Sequence, residues 1–134
     1  MTDQEDLPVE QKPVSTADKL KDLLREFKDA PSSESVEKMK AQHGDVFVSV
    51  LSDDEIFLFR AMTRKEHRDL NTKIAEGKVP ADSFEDEVVK LCILWKSVKD
   101  LDAKGGTIPS LLEQIMQNSN FLPPQLLSQL VTKL

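Results

Sequence analysis

The sequence predicts a mainly helical compact domain with one small antiparallel β-hairpin, an α+β fold, behind a flexible acidic N-terminal arm. Apolar residues recur at helical spacing over most of the chain. Two short runs of β-branched and aromatic residues flank a polar turn at residues 52–54. Residues 1–14 carry two prolines and few large apolar side chains, a composition that does not offset the entropy cost of ordering. We therefore predict a disordered or partner-ordered arm over residues 1–14 and a single mainly helical domain over residues 15–134.

Two helices are predicted ahead of the hairpin. The first begins at a cap provided by Ser15 or Thr16 and runs to about Ala30, because Pro31 disfavours helical geometry at the residue before it. The second spans about residues 33–43 and ends at Gly44, since glycine is the residue that most often follows a helix.

The hairpin is predicted over about residues 46–60. Residues 46–51 and 55–60 are apolar and β-prone, and the serine and aspartates between them are typical turn residues. An alternative is that residues 46–51 continue as helix, because periodicity over so few residues fits both structures.

Four helices are predicted after the hairpin. Thr63 and Glu66 match a capping box, which begins a helix that ends near Gly77. The next helix begins near Ser83 and runs through Trp95, and its apolar residues lie on nearly all sides, which predicts a central, buried position. A third is predicted over about residues 108–118 and a C-terminal helix over about residues 124–134.

Composition argues against several classes of partner. The chain has 134 residues, a net charge of −6 and no basic cluster, so we expect neither nucleic acid nor an anionic membrane as a partner. A signal-peptide pattern and the roughly 20-residue apolar run of a membrane helix are both missing, so we expect a soluble, unsecreted protein.

The residues capable of chemistry do not form a recognisable catalytic set. Cys92, the only cysteine, lies in an apolar run and is interpreted as a small buried hydrophobe. Glu66 is accounted for by the capping box, and His67 is expected on the surface. The acidic triplet at residues 53–55 lacks the ligand spacing of a calcium loop. We expect no enzyme activity, cofactor, metal site or small-molecule substrate.

Apolar faces near the two ends of the chain are the candidate partner interface. On the first predicted helix, the candidates are Leu20, Leu24 and Phe27. On the predicted C-terminal helix, they are Leu126, Leu127, Leu130 and Val131. Such a stripe either folds back on its own core or docks into a groove of another protein as a helix. The sequence leaves both open for the C-terminal stripe.

The order of motifs resembles a known family. The pattern comprises IFLFRAMTRKE at residues 56–66, VVKLCILW at residues 88–95, GTIPSLLEQIM at residues 106–116 and SNF at residues 119–121. It resembles small tail-assembly chaperones and baseplate proteins of contractile-tailed bacteriophages. Met62 stands where the family pattern has leucine, and Asn120 stands where it often has glycine.

The resemblance implies a non-enzymatic phage tail protein that acts through protein–protein contacts. It would be either a small baseplate or tail subunit of the virion, or a chaperone that binds the tape-measure protein in the host cytoplasm during assembly. The alternative from another class is a cellular adaptor or regulatory protein-binding domain.

Overall fold

The computed structural model describes residues 16–134, so the predicted arm over residues 1–14 lies outside the described residues. Within them, the chain forms a helix-rich α+β fold with an antiparallel three-stranded sheet. The elements in chain order are α1 (Thr16–Arg25), α2 (Ser33–His43), β1 (Val46–Ser52), β2 (Glu55–Arg60), α3 (Arg64–Ala75), α4 (Phe84–Cys92), β3 (Ile93–Lys96), α5 (Thr107–Asn118) and α6 (Pro124–Leu127). Short 3₁₀ turns at Ala81–Ser83 and Ser128–Leu130 precede α4 and follow α6.

The chain divides after Ala30 into two compact units, the second of which is Pro31–Leu134. The prediction of a single domain from residue 15 therefore stays a prediction. In the first unit, α1 ends at Arg25 and not near Ala30. The backbone then makes i→i+3 hydrogen bonds, such as the Phe27 N–H donating to the Leu24 carbonyl at 3.3 Å, so the chain tightens into turns before Pro31.

The helix starts follow the capping chemistry in the sequence. The Ser35 N–H donates to the Ser32 side chain at 3.1 Å to cap α2, and Gly44 ends that helix with φ +85°. At α3, the Glu66 N–H donates to the Thr63 hydroxyl, and the Thr63 N–H donates to the Glu66 carboxylate. The predicted second helix and the predicted capping box are both confirmed.

The predicted hairpin is confirmed, and the alternative of a helix over residues 46–51 is wrong. β1 and β2 pair antiparallel from Val46 opposite Arg60 to Val50 opposite Ile56, with a register irregularity close to the turn. The Ser52 hydroxyl lies 2.7 Å from an Asp54 carboxylate oxygen and 2.9 Å from one of Glu55, which fixes the turn locally.

A third strand replaces the second half of the predicted central helix. The helix ends at Cys92, and Ile93–Lys96 pairs antiparallel with β2, placing Trp95 opposite Leu58. The prediction of continuous helix to Trp95 is wrong. A β-branched and an aromatic residue in Ile93–Lys96 suit a strand, and pairing with β2 also satisfies backbone groups that its second edge would otherwise leave unpaired.

The core lies between one face of the sheet and the helices α4 and α5. Phe57 and Phe59 of β2 form a buried cluster with Val88, Leu111 and Ile115 of those helices. Because side chains alternate along a strand, Ile56 and Leu58 point to the opposite face, where they are also buried. β2 is therefore the central strand of the sheet and is buried on both faces. Its continuous run of apolar residues is the pattern expected for such a strand.

Two serines join the elements around β2. The Ile56 N–H donates to the Ser97 hydroxyl, which itself donates to the Asp54 carbonyl, both at 2.8 Å. The Met62 N–H donates to the Ser119 hydroxyl at 2.8 Å. Backbone groups at both ends of the central strand therefore have partners from distant parts of the chain. Among residues 16–134, no helix is both long enough and apolar enough to span a membrane.

Candidate functional site

The predicted C-terminal interface residues are on the surface, but only two of the four, Leu126 and Leu127, lie on an α-helix. The α-helix covers only Pro124–Leu127, followed by a 3₁₀ turn to Leu130, so the helix predicted over about residues 124–134 is wrong in length. Leu126, Leu127, Leu130 and Val131 are all exposed, with Val131 at 74%. Short helices depend on packing for their stability, and these apolar side chains stay exposed in the part of the chain that the structure describes.

We call residues 121–134 the C-terminal segment. The turn that ends α5 determines the direction in which this segment continues. Asn120 adopts a left-handed conformation with φ +68°, and the Phe121 N–H donates to the Met116 carbonyl at 2.9 Å. Pro123 then holds an extended backbone before Pro124 begins α6. The segment carries seven large apolar residues and one charged residue, Lys133. It is the most apolar exposed stretch of the second unit.

The other predicted interface residues belong to the first unit. Leu20 and Leu24 lie four residues apart on α1, and Phe27 follows in the turns after it. All three are partly exposed. Their role as an interface stays a prediction, and the two sets of predicted interface residues belong to different units.

A groove of about 530 Å³ runs beside β3 and was not predicted from the sequence. Six apolar side chains from β3, α4, α5 and the intervening loop line it: Val89, Ile93, Leu94, Trp95, Leu101, Ile108. Three aspartates and three lysines complete it: Asp86, Asp100, Asp102, Lys90, Lys96, Lys99. We call this the β3 groove. The run of β-branched and aromatic residues at 93–95 indicated a strand beside which such a groove could form. The predicted central helix included these residues instead.

The acidic turn is a structural cluster. Glu55 is buried and accepts hydrogen bonds from the Lys104 ammonium at 3.1 Å and from the Thr107 hydroxyl at 3.0 Å. Lys104, with help from Ser52 and Thr107, lowers the pKa of the Glu55 carboxyl. The carboxylate oxygens are thus occupied by donors from the loop and from α5. Within the described part of the chain, no three His, Cys, Asp or Glu side chains are grouped to hold a metal ion.

Cys92 lacks the environment of a nucleophile. It is fully buried in the core cluster, and burial raises the pKa of its thiol to about 11, although the nearby Arg60 opposes that shift. A thiol with such a pKa holds very little thiolate at neutral pH, and the thiolate is the reactive form. The interpretation of Cys92 as a small buried hydrophobe agrees with this burial.

His67 is more enclosed than the sequence indicates. Its ring packs between two aromatic side chains, with centroids 4.6 Å from Phe121 and 6.4 Å from Phe84. The Asn71 amide lies within 3.5 Å of both ring nitrogens. The expected surface histidine is therefore partly buried, and its neighbours are those of a packing residue that anchors the start of the C-terminal segment.

Comparisons of the chain with protein-family models, with curated proteins and with solved structures found no match.

Proposed function

We propose that this protein is a non-enzymatic protein-binding component of a contractile phage tail. Its C-terminal segment is the surface that contacts the partner. The observation that carries the proposal is the exposure of Leu126, Leu127, Leu130 and Val131 together on one short segment. Solvent-exposed apolar residues in such a cluster typically mark protein interaction sites.

The sequence resemblance supplies the phage context, and one structural detail supports it. Asn120 stands at a position where the family pattern often has glycine, and its φ of +68° lies in the region that glycine adopts most readily. Asparagine is the non-glycine residue best suited to that conformation. The departure from the family pattern therefore fits the conformation found at this position.

The chemistry of the candidate catalytic residues supports a binding role. Glu66 is committed to the α3 cap and to Arg60, while Cys92 is buried with a raised pKa. His67 packs between two aromatic rings. Each of these residues therefore contributes to capping, ion pairing or packing within the fold. An enzyme would need a base or nucleophile positioned in an accessible pocket.

Co-expression with the tape-measure protein of the same tail gene cluster tests the proposal. We expect an affinity tag on this chain to co-purify the tape-measure protein, and we expect Leu127→Gln combined with Leu130→Gln to abolish that co-purification. Leu91→Gln is the matched control, because Leu91 is also exposed but lies on α4. Equal recovery with both variants would contradict the role of the segment.

Mass spectrometry of purified phage particles separates the two forms of the proposal. A tail or baseplate subunit remains in mature particles in a fixed ratio to other tail proteins, whereas an assembly chaperone is absent from them. A gene whose neighbours encode no tail proteins, combined with no binding to tail components, would instead favour a cellular adaptor or regulatory domain.

A further inference from the structure

The C-terminal segment has the residue pattern of an amphipathic helix but forms that helix only at its start. Helix α6 covers Pro124–Leu127, and the chain then passes through a 3₁₀ turn into extended backbone at Val131, with φ −129° and ψ +140°. A helix continued to residue 134 would carry five apolar residues on one face, which we call the terminal apolar face: Leu126, Leu127, Leu130, Val131 and Leu134. The opposite face would carry four uncharged polar residues: Gln125, Ser128, Gln129 and Thr132.

The exposure of this face accounts for the early end of the helix. Its side chains range from 43% exposed at Leu126 to more than 100% at Leu134. A helix of this length is marginal in water by itself, and packing of its apolar face is what sustains it. A surface that covered the terminal apolar face would therefore allow residues 128–134 to continue the helix.

The terminal apolar face has enough area for a dimer interface. Its exposed fractions correspond to roughly 600 Å² of mostly apolar surface per copy, and so to roughly 1,200 Å² for two copies. A specific interface is expected to bury at least about 1,000 Å² in total. Two copies of this one face therefore supply the area that a stable dimer needs.

The distribution of charge also favours a second copy at this place. A two-fold contact brings a surface against itself, so a surface with several charges of one sign repels its own copy. The chain has a net charge of −6, but residues 114–132 contain no charged side chain, and Lys133 would lie at the flank of the continued helix. Two copies of this acidic chain can therefore meet at the segment without like charges facing each other across the contact.

We propose that two copies of the chain pair through the terminal apolar face, and that residues 128–134 become helical as they pair. Each copy supplies the packing surface that sustains the helix of the other, so helix formation and association are coupled. This inference goes beyond the proposed function, because it concerns the chain by itself and requires no tail partner. A tail protein that binds the same residues competes with the dimer.

Sedimentation velocity of the purified full chain over a range of concentrations tests the pairing. We expect a reversible monomer–dimer equilibrium that Leu130→Gln weakens at least tenfold, because the change is present twice in a two-fold contact. Leu91→Gln is the control, since Leu91 is also exposed but lies on α4, and it should leave the equilibrium unchanged. A wild-type chain that stays monomeric at about 100 µM would overturn the proposal, as would a dimer that survives Leu130→Gln.

Two substitutions at Gln129 separate a helical contact from general adhesion of leucines. Gln129 is exposed and would lie on the polar face of the continued helix. Gln129→Pro keeps all five apolar side chains but interrupts the helix, so we expect a dimer at least tenfold weaker. Gln129→Ala, the matched control, favours the helix and should keep or tighten the dimer. Equal dimerisation by the two variants would contradict a helical contact.

Nuclear magnetic resonance of isotope-labelled protein gives a direct readout of the coupled helix. The Cα chemical shifts of residues 128–134 should move toward helical values as the concentration rises, with the midpoint found by sedimentation. Shifts that stay non-helical in the dimer would refute the coupling.

The response to salt tests the charge argument. Raising NaCl from about 50 mM to about 500 mM screens the repulsion between two chains of net charge −6 and should tighten the dimer severalfold. A dimer that weakens with salt would depend on ion pairs, which the terminal apolar face does not offer, and would count against the proposal.

These measurements fail independently of the proposed function. Self-association without tape-measure binding would leave the dimer proposal standing and remove the phage-tail proposal. Tape-measure binding by a chain that never self-associates would do the reverse.

Discussion

The Arg60 guanidinium and the Glu66 carboxylate form a bidentate salt bridge, with Nη1 2.8 Å from Oε1 and Nη2 2.7 Å from Oε2. Arg60 is the last residue of β2, and Glu66 lies in the first turn of α3. Arg60 also donates to the Leu91 carbonyl of α4 at 3.1 Å. The bridge therefore joins the central strand to two helices, and both side chains are largely shielded from water.

The first prediction concerns the charge of Glu66. Glu66→Gln keeps the shape of the side chain but leaves the shielded Arg60 without its countercharge. We expect a loss of about 2 kcal/mol in the free energy of unfolding, the range for hydrogen bonds to charged groups. Urea denaturation followed by circular dichroism measures this loss.

The control for that change is Asp69→Asn. Asp69 pairs with Lys65 at 2.7 Å, but both side chains are well exposed, so we expect a much smaller loss of stability than for Glu66→Gln. Equal losses from the two variants would show that the Arg60 bridge contributes no more than a surface pair.

The second prediction is a pH dependence of stability. Arg60, with help from the Thr63 cap, lowers the pKa of Glu66 from 4.5 to about 2. Because the pKa is lower in the folded state, the folded protein holds the proton less tightly than the unfolded chain does. The contribution of Glu66 is therefore fully present above pH 4.5 and is lost as the pH falls toward about 2.

Unfolding measured from pH 6 to pH 2 checks this dependence. Other carboxyls also have lowered pKa values, including Glu55 and Asp69, so the informative quantity is the difference between the wild type and Glu66→Gln. We expect that difference to shrink as the pH falls below 4.5. A constant difference across the range would contradict the role assigned to the Glu66 charge.

The third prediction compares two leucines of opposite burial. Leu111 is fully buried between the sheet and α4, whereas Leu130 is 66% exposed. Leu111→Ala should cost about 3 kcal/mol in the free energy of unfolding, because it removes buried surface and leaves a cavity. Leu130→Ala, measured by the same denaturation at a concentration where the chain is monomeric, should cost under about 0.5 kcal/mol. Similar costs would mean that the C-terminal segment packs on the domain after all.

The fourth prediction concerns the thiol of Cys92. Because burial raises its pKa to about 11, we expect almost no reaction with a thiol-specific chromogenic reagent at pH 8 in the native protein. Complete reaction should follow the addition of unfolding concentrations of urea. Rapid labelling of the folded protein would show that the core opens around α4 far more readily than the packing indicates.

The sequence predicted those parts of the fold that local chemistry specifies. The Thr63–Glu66 capping box and the hairpin turn at residues 52–54 depend on side chains within three residues of each other. Such contacts join residues that are close in the sequence, so predicting them required no knowledge of the rest of the chain.

The parts that the sequence did not predict depend on distant contacts. Residues 93–96 continue the apolar pattern of α4, and only the free edge of β2 makes them a strand. The β3 groove was missed for the same reason. The C-terminal helix was predicted too long, because leucine spacing favours a helix, while among the described residues its leucines stay exposed and gain no packing that would sustain it.

Hydrogen–deuterium exchange of the protein with and without a tail partner tests the central claim most directly. Residues 121–134 carry the exposed apolar side chains and little regular hydrogen bonding, so their amides should exchange quickly in the monomeric protein. We predict strong protection of this segment on binding, with little change in α3. Partner binding that protects other surfaces and leaves residues 121–134 exchanging as before would contradict the account.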